Sequence, residues 1–365
     1  MSGLSVVAAG QRWPMRVAVV GATGNVGSAL VRALAGDGRV DEIVGIARRA
    51  PELQVPKTVW RTADIGADDL APVLAGADAV VHLAWLIQPS RDERVTHAVN
   101  VQGSARVFAA AVAAGARTIV YASSVGAYSP GPKDRAVDET WPTEGIGTSF
   151  YARHKAAVER ILDGVEAAHP GVRVVRLRPG LIFQREAAAE VRRLFAGPLL
   201  PTPLLRRGLI PLVPRHPRLR FQAVHAHDVA QAYRLALLDE RARGAYNVAA
   251  DPVLDGEALA RLLGARAVPV PGRLLRAAAD LSWRAHLQPT PAGWVDLGLG
   301  VPVMDTARAR DELGWAPSRS AEAAFLELLD GMREGAGLAT PPLDPRAGGP
   351  ARAGELATGV GTRTP

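Results

Sequence analysis

The sequence predicts an α/β fold, a Rossmann-type doubly wound parallel sheet with a smaller, mostly helical C-terminal substrate lobe. Two observations lead to this prediction. Strand patterns alternate with amphipathic helix patterns through the first half of the 365 residues, and the first strand runs directly into a glycine-rich turn and a helix start. With 48% hydrophobic residues, the chain can bury a core of the size that such a sheet needs.

The glycine-rich turn is the first predicted site. Residues 16–20 form the pattern of a buried parallel strand, and Gly21, Gly24 and Gly27 follow it as the helix pattern begins. Gly21 permits a tight turn, Gly24 lets the backbone approach a pyrophosphate at the helix N-terminus, and Gly27 lets helix and strand pack closely. The strand before the turn and the helix after it favour dinucleotide binding over an ordinary turn.

The remaining elements of the sheet are predicted by the same alternation. Strands are expected at residues 41–47, 58–62, 78–83, 118–122 and 172–177, with helices at about 92–114 and 149–169. Ligands of such sheets bind beyond the carboxyl ends of the strands, and Gly21, Ala84, Ser124 and Pro179 all fall there. The sequence therefore predicts one crevice built from four strand ends.

Tyr151 and Lys155 are the second predicted site. Lysine is rare in this chain, with three lysines among 43 basic residues, and this one follows the tyrosine by four positions on one face of a predicted helix. A fixed ammonium favours the phenolate and lowers the pKa of a nearby tyrosine toward the range of a general acid or base. The alternative is a tyrosine and a lysine on a solvated helix face.

The end of the second predicted strand bears on the choice of cofactor. In dinucleotide folds an acidic residue about 20 residues beyond the turn binds the ribose hydroxyl of NAD. Here the strand leads into Arg48 and Arg49, and two guanidinium groups can bind a 2′-phosphate, so NADP is expected in preference to NAD. The alternative is that both are surface arginines and that Glu52 turns back to the ribose.

The positive charge of the chain is concentrated in one stretch. The net charge is +7, and between residues 185 and 220 eight arginines face two glutamates. Because prolines and aliphatic residues accompany the arginines and few aromatic residues are present to stack on bases, we interpret the stretch as a pocket wall for an anionic substrate such as a nucleotide diphosphate. A solvated face and nucleic-acid binding are the alternatives, and no nucleic acid or membrane partner is expected.

Composition sets further limits. Because the chain has no cysteine, it has no disulfide and no thiolate metal site. It also has no run of ~18 apolar residues of the kind that forms a transmembrane helix. His225 and His227 lack an evident third ligand nearby, so no metal site is expected. We expect a cytoplasmic protein.

These motifs resemble the extended short-chain dehydrogenases, which include the NAD(P)-dependent sugar epimerases and dehydratases, over about residues 16–332. The matching segments are Gly21, Gly24 and Gly27, Asp64-Ile65, His82-Leu83-Ala84, Asn100-Val101-Gln102-Gly103, Ser124, Tyr151 with Lys155, the stretch 225–230 and the stretch 312–317. Through the resemblance they imply hydride transfer at a carbinol or carbonyl carbon of a small-molecule substrate.

The resemblance also implies roles for single residues. The implied catalytic set is Ser124, Tyr151 and Lys155. The implied cofactor-binding residues are Gly21, Thr23, Gly24, Asn25, Val26, Gly27, Arg48, Asp64, Ile65, Leu83, Ala84, Tyr151, Lys155 and Pro179, and the implied substrate residues are Trp85, Ser124 and Arg220. Other matched residues have structural explanations, with Asp228 as the N-cap of a helix over 229–238, His225 and Trp315 as packing residues, and Asn100 bonding backbone inside its helix.

The reaction is narrowed by one departure from the family. Sugar-nucleotide 4,6-dehydratases carry an Asp-Glu pair after the catalytic Thr, whereas this chain has Val125 and Gly126, so an epimerase or simple reductase is expected. A nucleotide sugar or related small molecule is the first candidate substrate. Trp85-Leu86-Ile87 places bulk after the Ala84 turn, which favours as an alternative a reductase or dehydrogenase of a hydroxysteroid- or flavonoid-like ketone. A non-catalytic NAD(P)-sensing protein is the third candidate.

The pattern also predicts domain boundaries. Residues 15–180 and 221–250 form the dinucleotide-binding domain, residues 181–220 and 251–334 the substrate lobe, residues 1–14 an extension that leaves Met1 or Met15 as the start, and residues 335–365 a disordered tail. In the lobe, helices are expected at 257–263, 274–285 and 306–313, the last capped by Asp305. A homodimer is compatible with the sequence.

Overall fold

The structure, a computed structural model, describes residues 15–196 and 208–346, so the predicted N-terminal extension and the tail beyond residue 346 lie outside the described residues. The strands are β1 Met15–Val20, β2 Val40–Ala47, β3 Thr58–Thr62, β4 Ala79–His82, β5 Thr118–Ala122, β6 Ala136–Val137, β7 Arg173–Pro179, β8 Leu181–Phe183, β9 Leu212–Arg215, β10 Arg220–His225, β11 Gly244–Val248, β12 Ala250–Asp255, β13 Arg266–Pro269 and β14 Val303–Met304. The helices are α1 Asn25–Ala35, α2 Ala71–Leu74, α3 Glu93–His97, α4 Ser104–Ala113, α5 Phe150–Ala168, α6 Ala188–Val191, α7 Ala226–Leu238, α8 Gly256–Leu263, α9 Gly272–Arg284, α10 Gly293–Gly300, α11 Ala307–Leu313 and α12 Ala321–Glu334.

Seven parallel strands form the central sheet in the order β3-β2-β1-β4-β5-β7-β11. This order confirms the predicted Rossmann-type fold. The central strands are covered on both faces by helices, which is why β1 is apolar throughout its second half and Val17, Ala18 and Val19 are fully buried. The predicted bounds of β3 and β5 are confirmed, and those of β2, β4 and β7 are off by one or two residues.

The strand order reverses between β1 and β4, and this reversal places the site. Ligands of open α/β sheets bind at such a switch point, outside the carboxyl ends of the strands. The chain leaves β1 at Gly21, β4 at Leu83, β5 at Ser123 and β7 at Gly180, so the four predicted strand ends do meet at one edge of the sheet.

The substrate lobe contains strands as well as helices. Helices α8, α9 and α11 lie close to their predicted positions, but β8, β10 and β12 form a second sheet and β9 pairs with β13. Helices α8 to α12 nevertheless make up most of residues 251–334, so the lobe is mostly helical, as predicted. Its strands were missed because they are short, and β9, β12 and β13 carry prolines in place of a clean alternation of apolar and polar residues.

The capping prediction for α7 is wrong. The helix begins at Ala226, three residues earlier than expected, and its N-cap is His225, whose Nδ1 accepts from the backbone N–H of His227 at 3.1 Å. The carboxylate of Asp228, inside the first turn, accepts instead from Ser318 Oγ at 2.6 Å and ties the helix to the segment after Trp315. Trp315 is buried as predicted.

The helix predicted over residues 92–114 runs without interruption from residue 93 to residue 113, but its middle turns are wider than those of an α-helix. Between α3 and α4 the turns of Ala98–Gly103 widen into a π-helix. Asn100 lies in this wide turn, where its side chain accepts from Leu86 N at 2.7 Å and donates to Leu86 O at 2.8 Å. The prediction that the Asn100 side chain bonds backbone inside its own helix is therefore wrong. The side chain instead holds the loop that follows β4.

Residues 335–346, the described part of the tail that was predicted to be disordered, are ordered. After α12, residues 335–346 turn back onto the protein: Leu343 is fully buried, its backbone accepts from Leu338 N, and Pro342 O accepts from Arg193. The prediction failed because one buried leucine among glycines and prolines gives no periodic signal. Among the described residues no helix combines the length and apolar character needed to cross a membrane.

Candidate active site

The glycine-rich turn has the backbone that the sequence demanded. Gly21 has φ +86°, and a Cβ atom placed there would lie 2.6 Å from Ala84 N. A Cβ at Gly27 would lie 2.2 Å from Gly21 O, so the helix could not pack against the turn with any side chain at that position. Gly24 is the N-cap of α1, and a Cβ atom placed there would meet only Gly21 O, at 3.6 Å. The turn therefore fits a pyrophosphate at the N-terminus of α1.

A single cavity of about 500 Å³ lies over the switch point of the sheet. Every residue predicted to bind cofactor, from Gly21 to Pro179, lines it, and so do Ser124 and Trp85. Of the predicted site residues, Arg220 alone does not. The cavity thus brings together segments that lie as far apart in the sequence as Gly21 and Pro179.

Arg48 and Asp64 stand at the end of the cavity where a dinucleotide fold holds the adenosine. Arg48 is exposed at the rim; partial desolvation lowers the pKa of its guanidinium, and the charge of Asp64 opposes that shift. The Asp64 carboxylate accepts from Gly66 N at 2.7 Å, and Arg106 donates to Ile65 O at 2.8 Å. The Asp64-Ile65 turn is therefore held by its own hydrogen bonds.

Ser124 and Tyr151 meet where β5 ends and α5 begins. The Oγ of Ser124 accepts from Gly126 N at 3.0 Å. A Cβ at Gly126 would lie 2.8 Å from Cε1 of Tyr151, so the ring occupies the space of a side chain at position 126. Burial raises the pKa of Tyr151 to about 12, and a hydrogen bond with Ser124 opposes that shift. The phenol is therefore protonated at neutral pH.

Lys155 is fully buried beneath the tyrosine but is directed away from it. Its Nζ donates to Ala122 O at 2.6 Å and lies 3.5 Å from the ring centroid of Trp85 and 5.8 Å from that of Tyr151. Burial lowers the pKa of the ammonium well below its usual range, partly offset by Glu159. The expectation that Lys155 lowers the pKa of Tyr151 is wrong for this arrangement, because the ammonium is engaged by a carbonyl and an indole face.

A buried polar network that was not predicted from the sequence supports these groups. Glu159, on the inner face of α5, accepts from Ser123 Oγ and from Arg178 Nε at 2.9 Å and Nη2 at 3.0 Å. Burial raises the pKa of Glu159, but the hydrogen bonds and the charge of Arg178 outweigh it and leave the pKa below its usual value. Arg178 also donates to Tyr128 at 3.0 Å. The network joins α5 to the ends of β5 and β7.

The substrate side of the cavity is aromatic and aliphatic. Around the ring of Tyr151 stand Trp294, with its ring centroid at 5.0 Å, and Trp85, at 5.8 Å, while Phe195 packs on Trp294 at 4.9 Å. The indole Nε1 atoms of Trp85 and Trp294 are buried without a hydrogen-bond partner among the described residues. Leu194 completes this wall.

One carboxyl group lies in that apolar wall. Glu190 lines the cavity on α6, one turn before Leu194 and Phe195 in the widened helix of residues 192–196, so the three side chains share a face. Burial raises the pKa of Glu190 to about 7, and the charge of Arg193 opposes that shift. Sequence reasoning missed Glu190, Phe195 and Trp294; the spacing of 190, 194 and 195 was the available signal.

The arginine-rich stretch does not wall the cavity. Among its described members, Arg220 donates to Lys133 O at 2.6 Å, Arg218 to Leu299 O at 2.9 Å, and Arg193 to Pro342 O at 2.6 Å. None of the described arginines of the stretch lines the cavity, so the interpretation of the stretch as a cationic wall is wrong for them. Residues 206 and 207 lie outside the described residues.

Comparison with known proteins gives a family match over most of the chain. Residues 17–249 match the NAD dependent epimerase/dehydratase family. An uncharacterized protein of Mycobacterium tuberculosis is 29% identical over 326 residues, which are 89% of this chain and 31% of that protein, so the chain spans less than a third of that relative's length.

Two further proteins cover both chains almost fully. A 3-beta-hydroxysteroid dehydrogenase of Mycolicibacterium neoaurum is 26% identical over 345 residues, covering 86% of this chain and 90% of the relative. The crystal structure of Thermus thermophilus UDP-glucose 4-epimerase in complex with NAD superimposes with a TM-score of 0.63 at 23% identity, covering 87% of this chain and 99% of that chain. The second likeness shows a shared fold.

Proposed function

The chain belongs to the NAD dependent epimerase/dehydratase family, and we propose that it is a reductase or dehydrogenase of a largely apolar, ring-shaped ketone or secondary alcohol. The observation that supports this proposal is the wall around Tyr151. Trp85 and Trp294 contact the ring of Tyr151 and Phe195 packs on Trp294, while no described arginine between residues 185 and 220 lines the cavity. The 26% identical hydroxysteroid dehydrogenase is in accord with this substrate class.

The proposed chemistry uses the groups that meet at the strand ends. A nicotinamide cofactor, when bound, would supply the hydride chemistry at the carbinol carbon. Tyr151 donates its phenolic proton to the oxygen of the ketone as the hydride reaches the carbon, and Ser124 orients that oxygen by a hydrogen bond. Because burial raises the pKa of Tyr151 to about 12, the phenol is protonated at neutral pH, which is the form that donates a proton to a ketone oxygen. Lys155 would hold the nicotinamide ribose.

A 4,6-dehydratase is disfavoured by the contact between Gly126 and Tyr151. The acid-base pair of such an enzyme follows its catalytic Thr directly, and here a Cβ at position 126 would be 2.8 Å from the tyrosine ring. A glutamate there would displace the residue that the reaction needs most. Val125 offers no acid or base at the other position.

For the cofactor we propose NADP, with NAD as the weaker ligand. Arg48 stands at the adenosine end of the cavity, and no carboxylate follows β2 directly. Asp64 lies close enough to influence the pKa of Arg48, so the preference is expected to be moderate.

A nucleotide-sugar epimerase is the second candidate, favoured by the fold shared with UDP-glucose 4-epimerase. A substrate panel decides between the two. The purified protein is incubated with NADPH or NADH and either steroid ketones or UDP-galactose, and oxidation of the reduced nicotinamide is followed beside sugar interconversion. Oxidation with the ketones and none with the sugar supports the proposal. Interconversion of the sugar at an unchanged cofactor concentration contradicts it, and binding of cofactor without any turnover would favour a sensing protein.

A further inference from the structure

Large apolar side chains are exposed mainly in one part of the molecule. Among the described residues eight such side chains are at least 36% exposed, and five of them lie between residues 209 and 287. They are Leu209 and Leu212, at β9, and Leu274, Leu281 and Leu287, on α9 and just after it. A soluble surface usually scatters such residues singly, so the two exposed leucines on one helix, α9, point to a partner.

Helix α9 is exposed along its whole length. None of its residues is buried. Leu274 is 55% and Leu281 66% exposed, and Ala277, Ala278 and Ala285 between and after them are exposed too. These five residues, spaced three and four apart, form one continuous stripe, which we call the outer stripe. The helix is amphipathic, but its apolar stripe faces away from the protein.

Positive charge borders the outer stripe. Arg273, Arg276 and Arg284 lie on the same helix, against Asp280, and Arg266 precedes it on β13. Arg276 pairs with Asp296 and Arg284 with Asp280, while Arg266 and Arg273 contact no carboxylate of the described residues. Leucines on one face with arginines beside them are typical of helices that lie in the headgroup region of an anionic bilayer. The net charge of +7 acts in the same direction.

The same helix adjoins the substrate side of the cavity. At its end, the indole of Trp283 donates to Ser90 Oγ at 3.2 Å and stacks against Arg91. Ser90 ends the loop that begins at Ala84 and carries Trp85, and in this loop Gln88 donates to Leu194 O at 3.0 Å. Thus α9 is joined to two segments that line the cavity.

We infer that α9 rests on the surface of an anionic phospholipid bilayer through its outer stripe, and that an apolar substrate reaches the cavity from that bilayer. The second part rests on the proposed function, whereas the first does not. The inference revises the expectation that no membrane takes part. A second copy of the chain is the competing occupant, but the arginines bordering the stripe would then face their own copies across the interface.

Vesicle binding of the full chain tests the inference. The protein is mixed with vesicles of phosphatidylcholine alone or of phosphatidylcholine and phosphatidylglycerol in equal parts, and the bound fraction is measured by flotation. We expect binding to the anionic vesicles that falls at least ~10-fold when Leu274→Ser and Leu281→Ser are combined. The matched control combines Val59→Ser and Val95→Ser, which remove apolar side chains exposed elsewhere, and it should bind as the parent does. An unchanged melting temperature shows that each variant is folded.

The outcomes separate this inference from the proposed function. Absence of binding to both kinds of vesicle overturns the inference, whatever the substrate panel shows. A dimer of the parent chain that the leucine pair dissociates overturns it as well, because the stripe would then be a subunit interface. Vesicle binding without ketone turnover would uphold the docking of α9 and refute the substrate class. Arg273→Gln combined with Arg266→Gln should weaken binding to anionic vesicles alone.

Discussion

The two ends of the cavity are built on different principles. At the nucleotide end the backbone determines the shape of the site. Gly21 and Gly27 have no room for a Cβ atom, and the end of β1 and the start of α1 position the turn. At the substrate end the side chains decide, and Trp85, Phe195 and Trp294 come from three separate segments. The cofactor site therefore excludes any side chain at a few glycine positions, whereas the substrate site can be altered one side chain at a time.

The largest effect is expected at the nucleotide end. Gly27→Val would force Cβ against Gly21 O, at 2.2 Å in the present backbone, and open the turn, so cofactor affinity should fall at least ~1,000-fold, about 4 kcal/mol. Isothermal titration with NADPH measures the loss. Gly38→Ala is the control, since its Cβ would meet no atom within 4 Å. Retention of normal affinity in Gly27→Val would refute the assigned role of the turn.

Tyr151→Phe should affect the chemical step and leave the binding of cofactor and substrate unchanged. Removal of the phenolic proton should lower kcat at least ~100-fold while leaving NADPH affinity within a factor of about two. Stopped-assay turnover and titration measure the two separately. Tyr246→Phe, which alters a tyrosine outside the cavity that donates to Glu312, should keep its kcat. Equal activity in the two variants would exclude Tyr151 as the acid.

The contrast between the two ends also explains what the sequence could predict. The demand for glycine at 21 and 27 is local, so residue types and spacing predicted the turn, the strand ends and the Tyr151-Lys155 pair, and residues of all three line one cavity. Trp294 gave no such signal, because a tryptophan in a helix pattern is compatible with many surroundings, and for Glu190 the spacing to residues 194 and 195 was the one available signal. The direction of the Lys155 ammonium depends on Ala122 and Trp85, whose positions only the assembled fold defines.

Trp294→Ala should act on the substrate and spare the cofactor. Loss of an aromatic wall beside Tyr151 is expected to raise KM for an apolar ketone ~10- to 50-fold with little change in KM for NADPH. Trp141→Ala removes a tryptophan outside the cavity and serves as the matched control. If KM for NADPH rose as much as KM for the ketone, the substrate end and the nucleotide end of the cavity would not be separable.

Arg48→Glu should act on the cofactor and spare the substrate. The parent is expected to bind NADPH at least ~10-fold more tightly than NADH, about 1.4 kcal/mol, and the variant to lose that preference. Arg61→Glu makes the same charge change at an exposed position of β3 outside the cavity. Equal affinities for the two cofactors in the parent would contradict the assignment of Arg48.

The smallest effect is expected in the pH dependence at Glu190. Burial raises the pKa of this carboxyl to about 7, with Arg193 opposing, and Tyr151 and Lys155 line the same cavity. The raised pKa means that the neutral form is favoured in the folded protein below this pH, so ionisation at higher pH should disfavour an apolar ligand. KM for a ketone should therefore rise several-fold from pH ~6 to ~8, and Glu190→Gln should flatten the profile. Glu186→Gln should leave it unchanged.

The fate of the hydride distinguishes ketone reduction from sugar epimerisation. The protein is supplied with NADPH that carries deuterium on the transferred position, together with a steroid ketone, and the product is analysed by mass spectrometry and NMR. The account predicts deuterium on the new carbinol carbon, formed one for one with oxidised cofactor and lost in Tyr151→Phe. A ketone returned without deuterium, while UDP-glucose and UDP-galactose interconvert without consumption of cofactor, would contradict it.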